Sequence, residues 1–196
     1  MNVQRCSRIG LVGLTILFCL PHPVGYAQQT KRGDFKVNNI RQQQRRAPDY
    51  GGSGTTLGGQ GMWSNQPWMY FEVDFSSDPE WADDVTLRFY VLMQYGRQNK
   101  MFTGEVTHVN VKKGSHHYSA MFMHPSTVER YGQGKVEAVA VRLEHQGRLM
   151  DEASDKPTKA RWWETVTPVP GFLLKPLQTP WSVIAFTRFE AEKPAN

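Results

Sequence analysis

Cysteine is nearly absent: 2 in 196 residues, Cys6 and Cys19. Both fall within the first 27 residues, which read as an export signal. Arg5 and Arg8 precede an apolar run from Ile9 to Leu20, and Gly25-Tyr26-Ala27 provides small residues for cleavage. That run of about a dozen residues is too short for a resident membrane helix, which takes roughly 20. Bulky Phe18, directly before Cys19, argues against a lipidated cysteine. Cleavage after Ala27 leaves a chain with no thiol and no disulfide, a composition suited to a Gram-negative periplasm, cell surface or extracellular space. It excludes thiolate nucleophiles and cysteine-ligated metals, and no later apolar stretch is long enough for a membrane span in the mature chain.

An excess of one charge is also missing from the body of the chain. The formal net charge is +5, from 23 basic and 18 acidic residues. Arg5 and Arg8 leave with the signal. Residues 28–50 hold Lys31, Arg32, Lys36, Arg41, Arg45 and Arg46 against Asp34 and Asp49, a net +4. The positive charge therefore belongs to a segment before the folded domain, and no nucleic-acid partner is expected, because that requires a basic patch on a fold. Residues 28–61 also lack hydrophobic periodicity and contain Gly51-Gly52-Ser53-Gly54 and Gly58-Gly59-Gln60-Gly61. They read as a disordered basic, Gly/Gln-rich arm. The expected organisation is a signal peptide over 1–27, the arm over 28–61 and a β-sandwich domain over 62–196.

Long helical periodicity is the third absence. From Met69 onward the period is two. Met69, Phe71, Val73 and Phe75 alternate with Trp68, Tyr70, Glu72 and Asp74, as a half-buried strand requires. Ser76 to Pro79 reads as a turn. Val85 to Met93, Phe102 to Lys112, His116 to Met123 and Lys135 to Glu144 follow as strands, with one helical turn over Ser126 to Tyr131. Ser126 and Glu129 have capping-box spacing for that turn, and Gln146-Gly147 marks a tight turn. Asp151 to Thr158 reads as a polar loop. Arg161 to Val166, Phe172 to Leu174 and Trp181 to Phe189, punctuated by Pro168, Pro170, Pro176 and Pro180, read as edge strands. Short strands with frequent turn signals predict an all-β fold, an immunoglobulin-like β-sandwich with a disordered N-terminal arm.

Among residues that carry chemistry, the histidines do not have metal-site spacing. Adjacent His116 and His117 point to opposite faces of an extended strand, and His108 lies on a neighbouring one. Gly51 to Thr55 fails the nucleophile-elbow pattern. No phosphate-cradling glycine loop precedes a helix. The sequence therefore assigns no catalytic residue, no cofactor and no metal. Its 6 tryptophans are the more pointed signal. Trp68 and Tyr70, opposite in parity to Met69 and Phe71, are expected to form an outer aromatic strip. Of Trp162 and Trp163, one is expected inside and one outside. These four form the candidate surface for a partner protein or, alternatively, a glycan stacked on the rings.

Trp68 to Phe75, Pro79-Glu80-Trp81 leading into Val85 to Leu92, then Trp162-Trp163, Gly171-Phe172-Leu173-Leu174 and Thr179-Pro180-Trp181 together resemble secreted pilus-like proteins encoded near type IV pilus assembly components in Gram-negative bacteria. The helical stalk of true pilins is missing. The resemblance implies an immunoglobulin-like sandwich, no cofactor, no enzymatic activity, and contact with an envelope or pilus-assembly protein.

Overall fold

The alternation that begins near Met69 runs further than its turn residues suggest. In the computed structural model, which describes residues 30–48, 66–132, 135–157, 160–185 and 188–194, strand β2 spans Trp68–Ala82. It passes through Ser76 to Pro79 by shifting register twice against its neighbour. Bulges of this kind let a strand absorb a proline and twist without ending. Residues 1–27, expected as the signal, lie outside the described residues.

The largest correction concerns residues 28–61. Phe35–Arg45 is not part of an arm but strand β1, paired antiparallel along its length with β2, from Phe35 opposite Ser77 to Arg45 opposite Trp68. Three apolar side chains suffice to dock it. Phe35 and Val37 are buried and Ile40 packs against the core. The remaining Arg, Gln and Asn side chains belong to an edge strand, where charge is expected and discourages unwanted pairing. Residues 46–67 therefore connect two adjacent strands of the domain. The Gly-rich stretch 49–65 within them lies outside the described residues.

Seven further strands and two short helices follow. They are β3 (Val85–Tyr95), β4 (Gln98–His108), β5 (Val111–Met123), α1 (Pro125–Gly132), β6 (Val136–His145), β7 (Arg148–Ser154), β8 (Pro168–Pro170), β9 (Leu173–Leu174) and α2 (Ser182–Ala185). The run expected as one strand from Phe102 to Lys112 breaks at Asn110, whose φ of 57° marks a left-handed turn residue. Gln146 and Gly147, with φ of 50° and 76°, make the two-residue turn between β6 and β7. Part of the polar loop expected after Met150 is instead the end of β7. Helix α1 is not capped by Ser126. His124 Nδ1 accepts from Ser126 N at 3.1 Å, and Pro125 takes the first helical position.

Two sheets face each other, β1-β2-β5-β9 and β7-β6-β3-β4-β8. The connections β2–β3, β4–β5 and β5–β6 each cross between them. This is the sandwich arrangement of immunoglobulin-like domains, with consecutive hairpins split across two layers. The core lies between the inner faces and holds Phe71, Val73 and Phe75 of β2, Leu87, Phe89 and Val91 of β3, Phe102 of β4, Met121 and Met123 of β5, and Val139 and Val141 of β6. Burial on this scale, at about 25 cal/mol per Å² of apolar surface, is what a crosslink-free domain relies on. The seams are closed as well. Asp151 of β7 accepts from Val37 N at 2.8 Å, and Asp155 accepts from Gln42 Nε2 at 3.0 Å.

Candidate functional site: the covered face of the four-stranded sheet

The outer face of β2 carries Trp68, Tyr70 and Glu72, as their parity requires, but it is not open. The chain after β9 folds back across it. A 3-10 turn at Pro176–Gln178 leads to Trp181, which stacks on Phe122 at 4.7 Å and meets Trp68 edge-on at 5.5 Å. Tyr70 lies 5.0 Å from Phe122. Thr179 fixes the approach, its hydroxyl donating to Pro176 O at 2.7 Å and accepting from Trp181 N at 3.3 Å. Trp68 and Tyr70 end 7% and 1% exposed. The aromatic strip exists, but it is a second small core, and neither ring can stack on a sugar. The segment expected as a strand over Trp181 to Phe189 begins instead with the short helix α2.

Trp162 and Trp163 cover the other sheet. They sit in a 3-10 turn rather than a strand, so they do not split between faces. Their rings meet edge to face at 5.6 Å. Trp163 is buried with Tyr90, Met101 and Ala140, and half-buried Trp162 packs on the same cluster while donating its Nε1–H to Ser154 Oγ at 3.2 Å. All four expected surface aromatics thus serve packing, in two groups on opposite sheets. They do not form one surface.

At the centre of the covered face is Glu72, whose side chain is 2% exposed. Arg188, from the C-terminal strap, donates to both carboxylate oxygens, Nε at 2.7 Å and a terminal nitrogen at 2.8 Å. Tyr70 donates its hydroxyl to the same group. Arg41 approaches from β1 at 3.8 Å. Burial would push the Glu72 carboxyl up, but hydrogen bonds from Arg188 and Tyr70 and the Arg188 and Arg41 charges hold it below the ordinary carboxylate range. Burial, reinforced by Glu72, pushes the Tyr70 phenol well up. The hydrogen bond to Glu72 raises Arg188 despite partial desolvation. Two cation–π contacts complete the group, with Arg188 over Tyr118 at 4.6 Å and Arg45 over Tyr70 at 4.4 Å. Two guanidinium groups, Arg41 and Arg188, therefore share one carboxylate, and a third, Arg45, lies over the neighbouring Tyr70 ring. The surplus positive charge faces solvent, where the Arg41 and Arg188 side chains are 56% and 44% exposed.

Below this group the strap seals a histidine pair. His108 Nε2 lies 2.8 Å from Ser119 Oγ and its Nδ1 lies 3.2 Å from the Glu190 carbonyl. His117 Nδ1 lies 2.8 Å from the Glu190 carboxylate. A hydroxyl, an imidazole and an orienting acceptor in this order have the outline of a nucleophile with its base. Ser119, however, is 0% exposed, so substrate has no approach. Burial pushes the His108 imidazole down to about 4, which keeps it neutral as a structural linker. Backbone bonds tie the strap to both sheets here. Glu190 N donates to Tyr118 O at 3.3 Å, and Lys193 N donates to Thr107 O at 2.7 Å. Among the described residues, no three His, Asp or Glu side chains converge as a metal site.

The exposed tryptophan of the described chain is Trp81, at 59%, with Lys112 Nζ 5.7 Å from its ring. It lies beyond the second register shift of β2, where strict alternation from Trp68 no longer predicts facing. Arg41 and Arg45 were missed as surface residues because the stretch that holds them has few apolar residues.

Comparison with known proteins fits this architecture. No curated protein matches the chain. A solved crystal structure from Akkermansia muciniphila is similar over 83% of this chain and 94% of its own, with a TM-score of 0.70 and 23% identity. At that identity the likeness concerns the fold, which it supports over nearly the whole of the other chain. A family model matches residues 26–196. The chain therefore belongs to the family that this model describes, throughout its β-sandwich and over everything after its first 25 residues.

Proposed function

We propose that this protein is a non-enzymatic, exported β-sandwich that works by protein–protein contact at the cell envelope, in association with a pilus or secretion apparatus. The pilus-related character of its family supports this reading. The observation that carries it is the Glu72 centre. Charged groups that could serve a reaction are spent on fixing the strap, and what is presented outward beside it is a cationic strip of β1. Preorganised surfaces with arginine and adjacent aromatics suit macromolecular contact better than small-molecule chemistry. The test is crosslinking and capture with the full exported chain in envelope extracts of its own host. A specific protein partner is expected, and recovery of none would count against the reading.

A second reading, glycan binding, is favoured by one observation. Trp81 offers an exposed indole beside Lys112. This moves the site away from Trp68, Tyr70, Trp162 and Trp163. A glycan array with wild-type protein and Trp81→Ala separates it from the first reading, because only sugar stacking predicts binding that the variant loses.

A further inference from the structure

We infer that the outer face of β1, with Arg41 and Arg45 beside the strap residue Arg188, is a receptor for an extended acidic segment of a partner protein. The inference rests on the protein-contact reading and names the chemistry of its partner. Three observations support it.

The first is a cationic surplus built into the fold. Arg41 stands opposite Glu72 and Arg45 opposite Trp68, on the same side of the sheet as Tyr70. The acids nearby are already engaged. Glu72 is held by Arg188 and Tyr70. Asp74 accepts from Asn38 Nδ2 at 3.1 Å and pairs with His116 at 3.0 Å. Asp155 is occupied by Gln42 and by Val139 N. Glu72 is the one carboxylate among these that Arg188 and Arg41 share, so its single negative charge leaves the group of three guanidinium side chains with a positive surplus.

The second is preorganisation. Arg45 is held over the Tyr70 ring at 4.4 Å. Arg188 is fixed by Glu72 and laid on Tyr118 at 4.6 Å. Side chains already ordered lose little freedom when a ligand arrives.

The third is spacing. Arg41, Gln43 and Arg45 alternate along one side of an extended strand, so the two arginines lie about 14 Å apart at ~3.4 Å per residue. An extended peptide with acids four residues apart presents carboxylates at the same interval, with a polar residue between them to meet Gln43. Matching periods favour a peptide strand, which has the same rise per residue as β1, over an acidic polysaccharide, whose charge interval is set by its sugar repeat, or an anionic membrane, whose headgroups keep no fixed register.

The test uses the full exported chain and a synthetic decapeptide with Glu at every fourth position and Thr and Gln between (the Glu-Thr peptide), with the same peptide carrying Lys in place of Glu as control. Heparin and phosphatidylglycerol vesicles serve as the other anionic sources. Binding of the Glu-Thr peptide, weakened about tenfold or more in Arg41→Gln/Arg45→Gln and largely retained in Arg41→Lys/Arg45→Lys, supports the proposal. Unchanged melting temperatures show that the variants fold. Absence of peptide binding, equal binding by the Gln variant, or binding of heparin or vesicles without the peptide would overturn it. The two readings fail separately. If the host partner is captured equally by wild type and the Gln variant, the acidic-segment proposal falls and protein contact stands. If neither captures a partner, both fall.

Discussion

Arg188 grips Glu72 across 116 residues of chain, with Nε and a terminal nitrogen 2.7 and 2.8 Å from its two oxygens. The pair joins the middle of β2 to the strap that covers it. Glu72→Ala should destabilise the domain by about 1–3 kcal/mol. It strips the partner from a buried hydroxyl, but Arg188 is partly solvated and its loss is cushioned. Urea unfolding measures this. A change below about 0.5 kcal/mol would mean that the strap is held by its aromatics alone.

Trp181 is the keystone of those aromatics, 5% exposed and in contact with both Phe122 and Trp68. Trp181→Ala should lose about 3–5 kcal/mol, the usual range for a large aromatic deleted from a packed site. Trp68 fluorescence should shift to the red as the cover loosens. An unaltered spectrum together with unaltered stability would contradict the stacked arrangement.

Acid should weaken the fold through His108. Its folded value of about 4 lies below the ordinary 6.5, so between these limits the unfolded chain binds more protons. Stability therefore rises with pH from about 4 to 6.5, by up to about 3 kcal/mol from this residue. Glu72 acts in the same direction. Its carboxyl is held low in the folded state, so its contribution is present above the ordinary carboxylate range and lost as pH falls through the folded value. Thermal melting across pH 4–7 should show the slope, and His108→Asn should flatten its upper part. A profile that falls as pH rises through this window would have the wrong sign for both groups.

Gly104 has no room for a methyl group. A Cβ there would meet Met121 Cε at 2.6 Å and Leu173 Cβ at 2.8 Å. The Met121 tip can swing aside, but Leu173 is anchored in β9. Gly104→Ala should cost about 1–3 kcal/mol by overpacking. Differential scanning calorimetry gives the result, and a neutral substitution would show that β9 yields.

Trp81→Ala should leave folding within about 0.5 kcal/mol of wild type, as surface changes usually do. Equilibrium unfolding checks this directly. A larger loss would show that the indole supports the adjoining register shift.

Strands β2 and β3 were legible because Met69 to Phe75 and Val85 to Met93 keep apolar residues on one parity throughout, and β6 because Val139, Val141 and Leu143 do so. Strand β1 was not, because only Phe35, Val37 and Ile40 face the core, and a bulge between Val37 and Asn39 breaks their alternation. The parity of Trp68, Tyr70 and Glu72 was also legible, and it placed them correctly on the outer face. Their burial was not, because it depends on Trp181 and Arg188, more than 100 residues away. Local pattern reports which way a side chain points from its strand, but not what later chain will lie over it. Trp162 and Trp163 misled for a related reason. Their facing depended on an extended backbone that a 3-10 turn replaces.

The pairing of β1 with β2 also gives the domain two distinct poles. At one, Thr30 bonds His145 at 2.8 Å, Gln146 N donates to the Asp84 carbonyl at 3.1 Å, and Lys193 pairs with the Asp84 carboxylate. The first and last described residues thus gather around the same turns. At the other, Arg45 and Trp68 stand side by side, and the connection between them departs. A label or surface tether attached at Thr30 or Lys193 would therefore occupy the first pole and orient the molecule with Arg45 distal. Immobilised through Thr30 or Lys193, the domain would hold its arginine row towards solution, which makes capture on a support tethered at that pole the natural geometry for finding what binds there.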